Sequence, residues 1–286
     1  MTKPMIVAFA AMTVAACHAP AVLTQQVEAR RLASELQLQF SRGTDASNRA
    51  VMADADEDST AAARDAERAT QEVLRNVEQL QTVLTSMGYS EELMLLNSFT
   101  HRFTEYRKLD AEILPLAVEN TNAKAQRLSF GPSTEAVAAF RAALDGLAAS
   151  APQSVAPRVE LLAARAGTTV LEIQVLQAPH IAEPMDDAMT QMEARMAASE
   201  GVARKTLDQI AALLPPESRS RVKVAIAALD RFASINTEIV SLSRRNSDVR
   251  SLALSLGRKR MITAQCDDQL RALQDVLAKH TVGPTR

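Results

Sequence analysis

The chain contains an internal sequence repeat, and this repeat limits the folds that the chain can adopt. The segments EILPLAVENTNAKAQRLSFG and EIVSLSRRNSDVRSLALSLG begin at Glu112 and Glu238, and seven of their twenty positions are identical. Apolar positions outside these segments match at the same offset, for example Tyr106 with Phe232 and Leu144 with Leu270. Two related units would fill most of the 286 residues, which suits a chain of one or two domains.

The spacing within each copy is helical. Apolar residues recur every three or four positions, which places them on one stripe of an α-helix. The pattern predicts one long helix over residues 90–128 and a second over 217–256. Only an elongated bundle or a coiled coil can bury so long a stripe. The stripe residues are Phe103, Tyr106, Leu109, Ile113, Leu116, Asn120 and Ala123, and in the second copy Leu229, Phe232, Ile235, Ile239, Leu242, Asn246 and Val249.

Composition agrees with an all-α fold. The chain has only 8 glycines and 3% aromatic residues, and it is rich in alanine and leucine, which are strong helix formers. The sequences MGYSEE and SFGPSTEA, with LLPPESRS and SLGRKR in the second half, carry the glycine and proline signals that end helices. We therefore predict four helices per repeat and two tandem antiparallel four-helix bundles, over residues 17–147 and 148–286. One elongated bundle, merged from both halves, is the alternative.

The N-terminus is predicted to be an export signal. Residues 1–16 contain a lysine, a short apolar stretch and small residues before Cys17, which is the layout of a secretory signal peptide. The sequence VAAC resembles the bacterial lipobox, and this resemblance implies that Cys17 carries the lipid. An uncleaved transmembrane anchor that continues to Leu23 is the alternative. Both interpretations predict an exported protein that is attached to the membrane on its periplasmic side.

The segment SEELMLLNSFTHRFTEYRKLDAEILPLAVENTNAKAQRLSFG, followed by AFRAALDGL, resembles the four-helix-bundle sensor domain of methyl-accepting chemotaxis receptors. In that family the bundle lies outside the cytoplasmic membrane, between two spans, and ligand binding is passed to a HAMP linker and a signalling rod. Here TVGPTR follows His280, without a second span or a HAMP-like segment. We therefore expect signal relay to need a membrane receptor or another envelope protein as partner.

Four residues are the candidates for ligand binding. Asn120 and Asn246 fall on the apolar stripe, where a buried amide needs hydrogen-bond partners. Each could fix helix register, as polar core residues do in coiled coils, or line a pocket between helices. Arg244 lies beside Asn246 and could bind an anion or could face solvent, and Tyr106 lies on the same stripe.

Several function classes are not supported by the sequence. The net charge of −2 offers no basic stripe for nucleic acid. The isolated histidines and the two cysteines form no metal motif, and no nucleotide-binding or hydrolase motif is present, so we expect no cofactor and no enzyme. The sequence thus predicts a sensor-like module that binds a small ligand or a receptor. A structural scaffold without a ligand is the alternative, and a homodimer is left open.

Overall fold

The protein is all-α, as predicted. The computed structural model describes residues 18–280, and within this range the regular elements are helices and no strand is present. The predicted export signal, residues 1–16, and Cys17 lie outside the described residues. Among the helices that are described, none is both long enough and apolar enough to span a membrane. The helices are α1 (His18–Met52), α2 (Asp56–Met87), α3 (Ser90–Glu119), α4 (Thr121–Leu128), α5 (Thr134–Ala149), α6 (Ala156–Ala182), α7 (Asp186–Leu213), α8 (Arg219–Arg245), α9 (Ser247–Leu254) and α10 (Arg260–Lys279).

The described chain divides into two compact units. Unit 1 contains residues 18–118 and 252–280, and unit 2 contains residues 119–251. In unit 1, the helices α1, α2, α3 and α10 surround one hydrophobic core that is rich in aromatic and leucine side chains. Arg30, near the start of α1, donates a hydrogen bond to the carbonyl of Leu277 near the end of α10, at 3.1 Å. These two helices are therefore antiparallel neighbours.

Unit 2 repeats this plan with α5, α6, α7 and α8 around a second core. Gln174 near the end of α6 donates to the hydroxyl of Thr134 at the start of α5, at 3.1 Å, so these helices are also antiparallel. The short connections between α6, α7 and α8 reverse the chain direction at each step. Each unit is thus a four-helix bundle, as expected for helices with one apolar stripe.

The element bounds recur at the offset found in the sequence. Helices α4 and α9 are each followed by a π-helical segment of five residues, Ser129–Ser133 and Ser255–Lys259. However, α5 ends the first repeat and packs in unit 2, whereas α10 ends the second repeat and packs in unit 1. The two repeats exchange their last helices, so the predicted boundary between residues 147 and 148 does not match the division into units.

The long predicted helices are interrupted, which corrects the ranges 90–128 and 217–256. Asn120 separates α3 from α4 and Asn246 separates α8 from α9, with φ of 50° and 52°. Among the described residues, these are the only two other than glycine with positive φ. Asparagine is one of the few residues that adopt the left-handed conformation at modest cost. The expected stop at SFGPS is instead a π-helical continuation into α5.

Replacing Asn120 by valine is expected to lower the free energy of unfolding by about 1–2 kcal/mol, because a β-branched side chain is more strained than asparagine in the left-handed region. Glycine at the same position avoids that strain and should retain most of the stability. Urea denaturation followed by circular dichroism measures both variants. Equal losses for valine and glycine would show that side-chain contacts, and not the backbone conformation, dominate at this position.

Candidate functional site

Three polar side chains meet inside the bundle of unit 1. Asp110 projects from α3, Ser47 from α1, and Lys259 from the π-helical segment before α10. The ammonium of Lys259 lies 2.6 Å from a carboxylate oxygen of Asp110, and Ser47 donates to the same oxygen at 2.7 Å. Lys259 also contacts the Ser47 hydroxyl. Lys259 is 2% exposed and Asp110 is 6% exposed, so these residues form a buried charged layer.

Burial perturbs the ionisation of this layer. Loss of water lowers the pKa of Lys259, and the negative charge of Asp110 opposes that change. A buried ion pair needs good geometry and further hydrogen bonds to offset the cost of removing both charges from water. The contact with Ser47 meets part of that need. Perturbed groups beside a cleft are candidates for function, and Lys259 lies beside such a cleft.

Tyr106, a residue predicted from the sequence, lies against this layer. Its ring stacks on Phe103 and meets Phe40 edge-on, and the ammonium of Lys259 lies 5.0 Å from the ring centroid, within the range of a cation–π contact. The hydroxyl is buried and has no hydrogen-bond partner among the described residues. Burial, and then the negative charge of Asp110, raise the pKa of Tyr106 well above its usual value, so the phenol stays neutral.

A cleft of about 500 Å³ opens beside the charged layer, entirely within unit 1. Its volume lies in the range typical of pockets for small molecules. The end of α1 forms one wall, and the segment from α9 to α10 forms the other. The cleft is lined by apolar Val51, Met52, Leu252, Leu256 and Ala264, by polar Thr44, Asn48, Ser255 and Thr263, and by charged Lys259, Arg260 and Asp267.

Unit 2 has a neutral layer at the corresponding place. In the alignment of the two repeats, Ser133 corresponds to Lys259, and Asn236 corresponds to Asp110. Gln177 accepts hydrogen bonds from Ser133 at 3.1 Å and from Ser129 at 2.8 Å, and it donates to Asn236 at 3.0 Å. Both units therefore have polar groups at equivalent positions of the repeat, but only unit 1 has charged side chains at these positions.

The sequence-predicted asparagines belong to a different arrangement, in unit 2. The helix starts after Asn120 and Asn246 cap each other: the Thr121 amide donates to the Ser247 hydroxyl at 3.0 Å, and the Ser247 amide donates to the Thr121 hydroxyl at 3.1 Å. Asn246 also accepts from Asn122 at 2.8 Å and donates to the carbonyl of Glu183 at 2.9 Å. These contacts satisfy backbone groups at helix ends, which favours a structural role.

Arg244, the fourth predicted residue, binds a carboxylate of its own chain. Its guanidinium donates to both oxygens of Glu193, at 2.5 and 3.0 Å, and this contact is the main cause of the lowered pKa of Glu193. Glu193 also contacts Nε2 of His180 at 2.9 Å, and Nδ1 of His180 lies 2.8 Å from the Ser243 hydroxyl. This order resembles a catalytic triad. However, His180 and Ser243 are completely buried, and the Ser243 hydroxyl is also placed to donate to the His180 carbonyl.

The four predicted residues do not converge on one site. Tyr106 belongs to unit 1, whereas Asn120, Arg244 and Asn246 belong to unit 2. Sequence reasoning missed Asp110 and Lys259. One signal was available, because Asp110 follows Tyr106 by four residues and therefore faces the same side of α3. Lys259 gave no such signal, since it stands among basic residues in GRKR.

Within the described residues, no group of three or more His, Cys, Asp and Glu side chains is arranged to hold a metal ion. The one cysteine described, Cys266, is buried in the core of unit 1, and burial raises the pKa of its thiol to about 12, which keeps it protonated. Comparisons of the chain with models of known protein families and with curated proteins give no match. The candidate site therefore has to be interpreted from its own geometry.

The charged layer can be tested by a double-mutant cycle. Asp110→Leu alone is expected to destabilise the protein by about 3–5 kcal/mol, because it leaves the Lys259 ammonium buried and unpaired. Combining it with Lys259→Met should recover most of that loss, since the charge is removed as well. Urea denaturation of the wild type, both single variants and the double variant gives the coupling energy. Additive losses would contradict a direct interaction between the two side chains.

Proposed function

We propose that the protein is a non-enzymatic, sensor-like module of the bacterial cell envelope that binds a small ligand in the cleft of unit 1. The observation that carries this proposal is a cleft of about 500 Å³ that is lined by one member of a buried ion pair, Lys259. Four-helix bundles commonly place ligand sites between facing helices. The neutral layer of unit 2 supports the proposal, because the same fold forms a polar layer there without buried charge.

The cost of the charges adds support. A buried ion pair is often no more stabilising than apolar residues of the same volume. Unit 2 has serine and asparagine at the corresponding positions, so the fold does not need Lys259 and Asp110 for its layer. A charged side chain at the edge of the cleft in unit 1, such as Lys259, is therefore better explained by ligand binding than by stability. A shift of packed helices on binding is the proposed means of relay to a separate membrane receptor.

Ligand binding is tested by thermal unfolding with a panel of amino acids, organic acids, aromatic compounds and metal ions. A ligand at 100 times its Kd should stabilise the protein by about 2.7 kcal/mol, seen as a rise in Tm. Leu256→Ala removes part of the apolar wall and should reduce that rise. Phe130→Ala is the matched control, because Phe130 is the counterpart of Leu256 in unit 2 and both side chains are strongly exposed.

The alternative function is that of a structural envelope protein without a small ligand. Such a scaffold would show no ligand-dependent change in Tm across the panel and would co-purify with another envelope protein. A rise in Tm that is identical in the Leu256→Ala variant would place the ligand elsewhere and contradict a site in this cleft.

Export and lipid attachment are proposed on the evidence of the sequence. The apolar stretch before Cys17 and the lipobox-like VAAC support a lipid-anchored protein on the periplasmic side of the membrane. Mass spectrometry of the mature protein, produced in a bacterium that processes lipoproteins, is expected to find Cys17 as a lipid-modified first residue. Cys17→Ala should abolish the modification. An intact N-terminus in the membrane fraction would instead indicate the uncleaved anchor.

A further inference from the structure

We infer that the cleft of unit 1 binds an amphipathic organic anion, a molecule with one negative head group and an apolar chain. This inference rests on the proposed function and specifies its ligand class. It is carried by two properties of the cleft: Arg260 on its lining is a cation without an ion-pair partner among the described residues, and much of the rest of its lining is apolar.

An unpaired cation on the lining favours an anion. Two cations, Lys259 and Arg260, and one carboxylate, Asp267, line the cleft, and the charge of Lys259 is compensated by its ion pair with Asp110. Asp110, which pairs with Lys259, is not part of the lining and approaches the ammonium from within the bundle. Arg260 forms no ion pair within the described part of the chain, and its side chain is exposed. Its guanidinium is therefore available to a carboxylate, sulfonate or phosphate group.

The apolar part of the cleft suits an alkyl or aryl chain. Met52 and Leu256 are 69% and 62% exposed, and Leu252 and Val51 complete the same surface. Covering these side chains would remove apolar surface from water, which is the main source of affinity for such a ligand. The wall from α1 contributes no titratable side chain to the lining. The head group is thus directed to the opposite wall, where Arg260 lies.

Asp267 makes the affinity depend on pH. Burial, as the main cause, raises the pKa of Asp267 above its ordinary value of 3.8, with Arg271 opposing the change and Asp268 adding to it. An ionised Asp267 repels an anionic head group, and a protonated one does not. Binding of a permanently charged anion should therefore strengthen as the pH falls toward the pKa of Asp267, while Arg260 keeps its charge.

Isothermal titration of the purified protein with three probes that share an eight-carbon chain tests the inference. The probes are octanesulfonate, 1-octanol and octyltrimethylammonium, each used below the concentration at which it forms micelles. Octanesulfonate remains ionised throughout, so a change of affinity with pH reports on the protein. We expect octanesulfonate to bind about two- to five-fold more tightly than 1-octanol, and octyltrimethylammonium to bind most weakly.

Matched variants assign the effect to the cleft. Arg260→Ala should abolish the preference for octanesulfonate over 1-octanol, whereas Arg258→Ala, an exposed arginine outside the lining, should leave it unchanged. Asp267→Asn should strengthen octanesulfonate binding at pH 7 and flatten its pH dependence. The control for this variant is Asp268→Asn, because Asp268 is the neighbouring exposed carboxylate and does not line the cleft.

The outcomes separate the two proposals. Equal binding of all three probes, or tighter binding of octyltrimethylammonium, overturns the anion inference and leaves a ligand site in the cleft. A preference for octanesulfonate that survives Arg260→Ala overturns it as well. If neither these probes nor the compounds of the wider panel bind, the proposed function itself fails.

Discussion

The reciprocal capping of two helix starts is the interaction on which the topology depends. Asn120 and Asn246 turn the chain through the left-handed region, and the amides exposed by each turn need acceptors. Each repeat supplies them to the other through the hydroxyls of Thr121 and Ser247. The side chains of Asn122 and Asp248 add a second reciprocal pair, because each accepts from a backbone amide of the opposite helix start, at 3.2 and 3.0 Å. Beyond these turns, each repeat contributes its last helix to the bundle of the other repeat.

Because the two repeats exchange their last helices, each bundle contains three helices from one repeat and one helix from the other. The two bundles share this plan but differ in their polar layers. Both units need a polar layer that meets the π-helical segment, and unit 2 forms it from serine, glutamine and asparagine. Unit 1 forms it from an ion pair, which costs more desolvation. Unit 1 also packs Phe40 and Phe103 against Tyr106, with Phe99 against both of these phenylalanines, and Tyr106 lies under the Lys259 ammonium. This larger aromatic core offsets part of the cost of the charges.

The sequence predicted the all-α class, the repeat and the apolar stripes, because the helical spacing of buried residues is a local signal. It did not predict the exchange of α5 and α10, because Leu144 and Leu147 on α5 match Leu270 and Leu273 on α10, and both helices carry the same stripe. Asn120 was placed correctly on the buried stripe, but the sequence left it as a register residue or a pocket residue, and the helix break at this position was not predicted. The break is visible only in the backbone conformation, which depends on hydrogen bonds to the exposed amides from the other repeat.

The candidate site could not be predicted for a related reason. The pairing of Lys259 with Asp110 joins residues from the two repeats, and it exists only because α10 is exchanged into unit 1. Had α5 remained with its own repeat, Asp110 would meet Ser133, and the layer would hold an unpaired carboxylate in a bundle core. That arrangement is costly, because a buried charge without a partner loses its hydration without compensation. The charged layer and the exchange of helices therefore stabilise each other: the ion pair favours the exchanged topology, and the topology brings the two charges together beside the cleft.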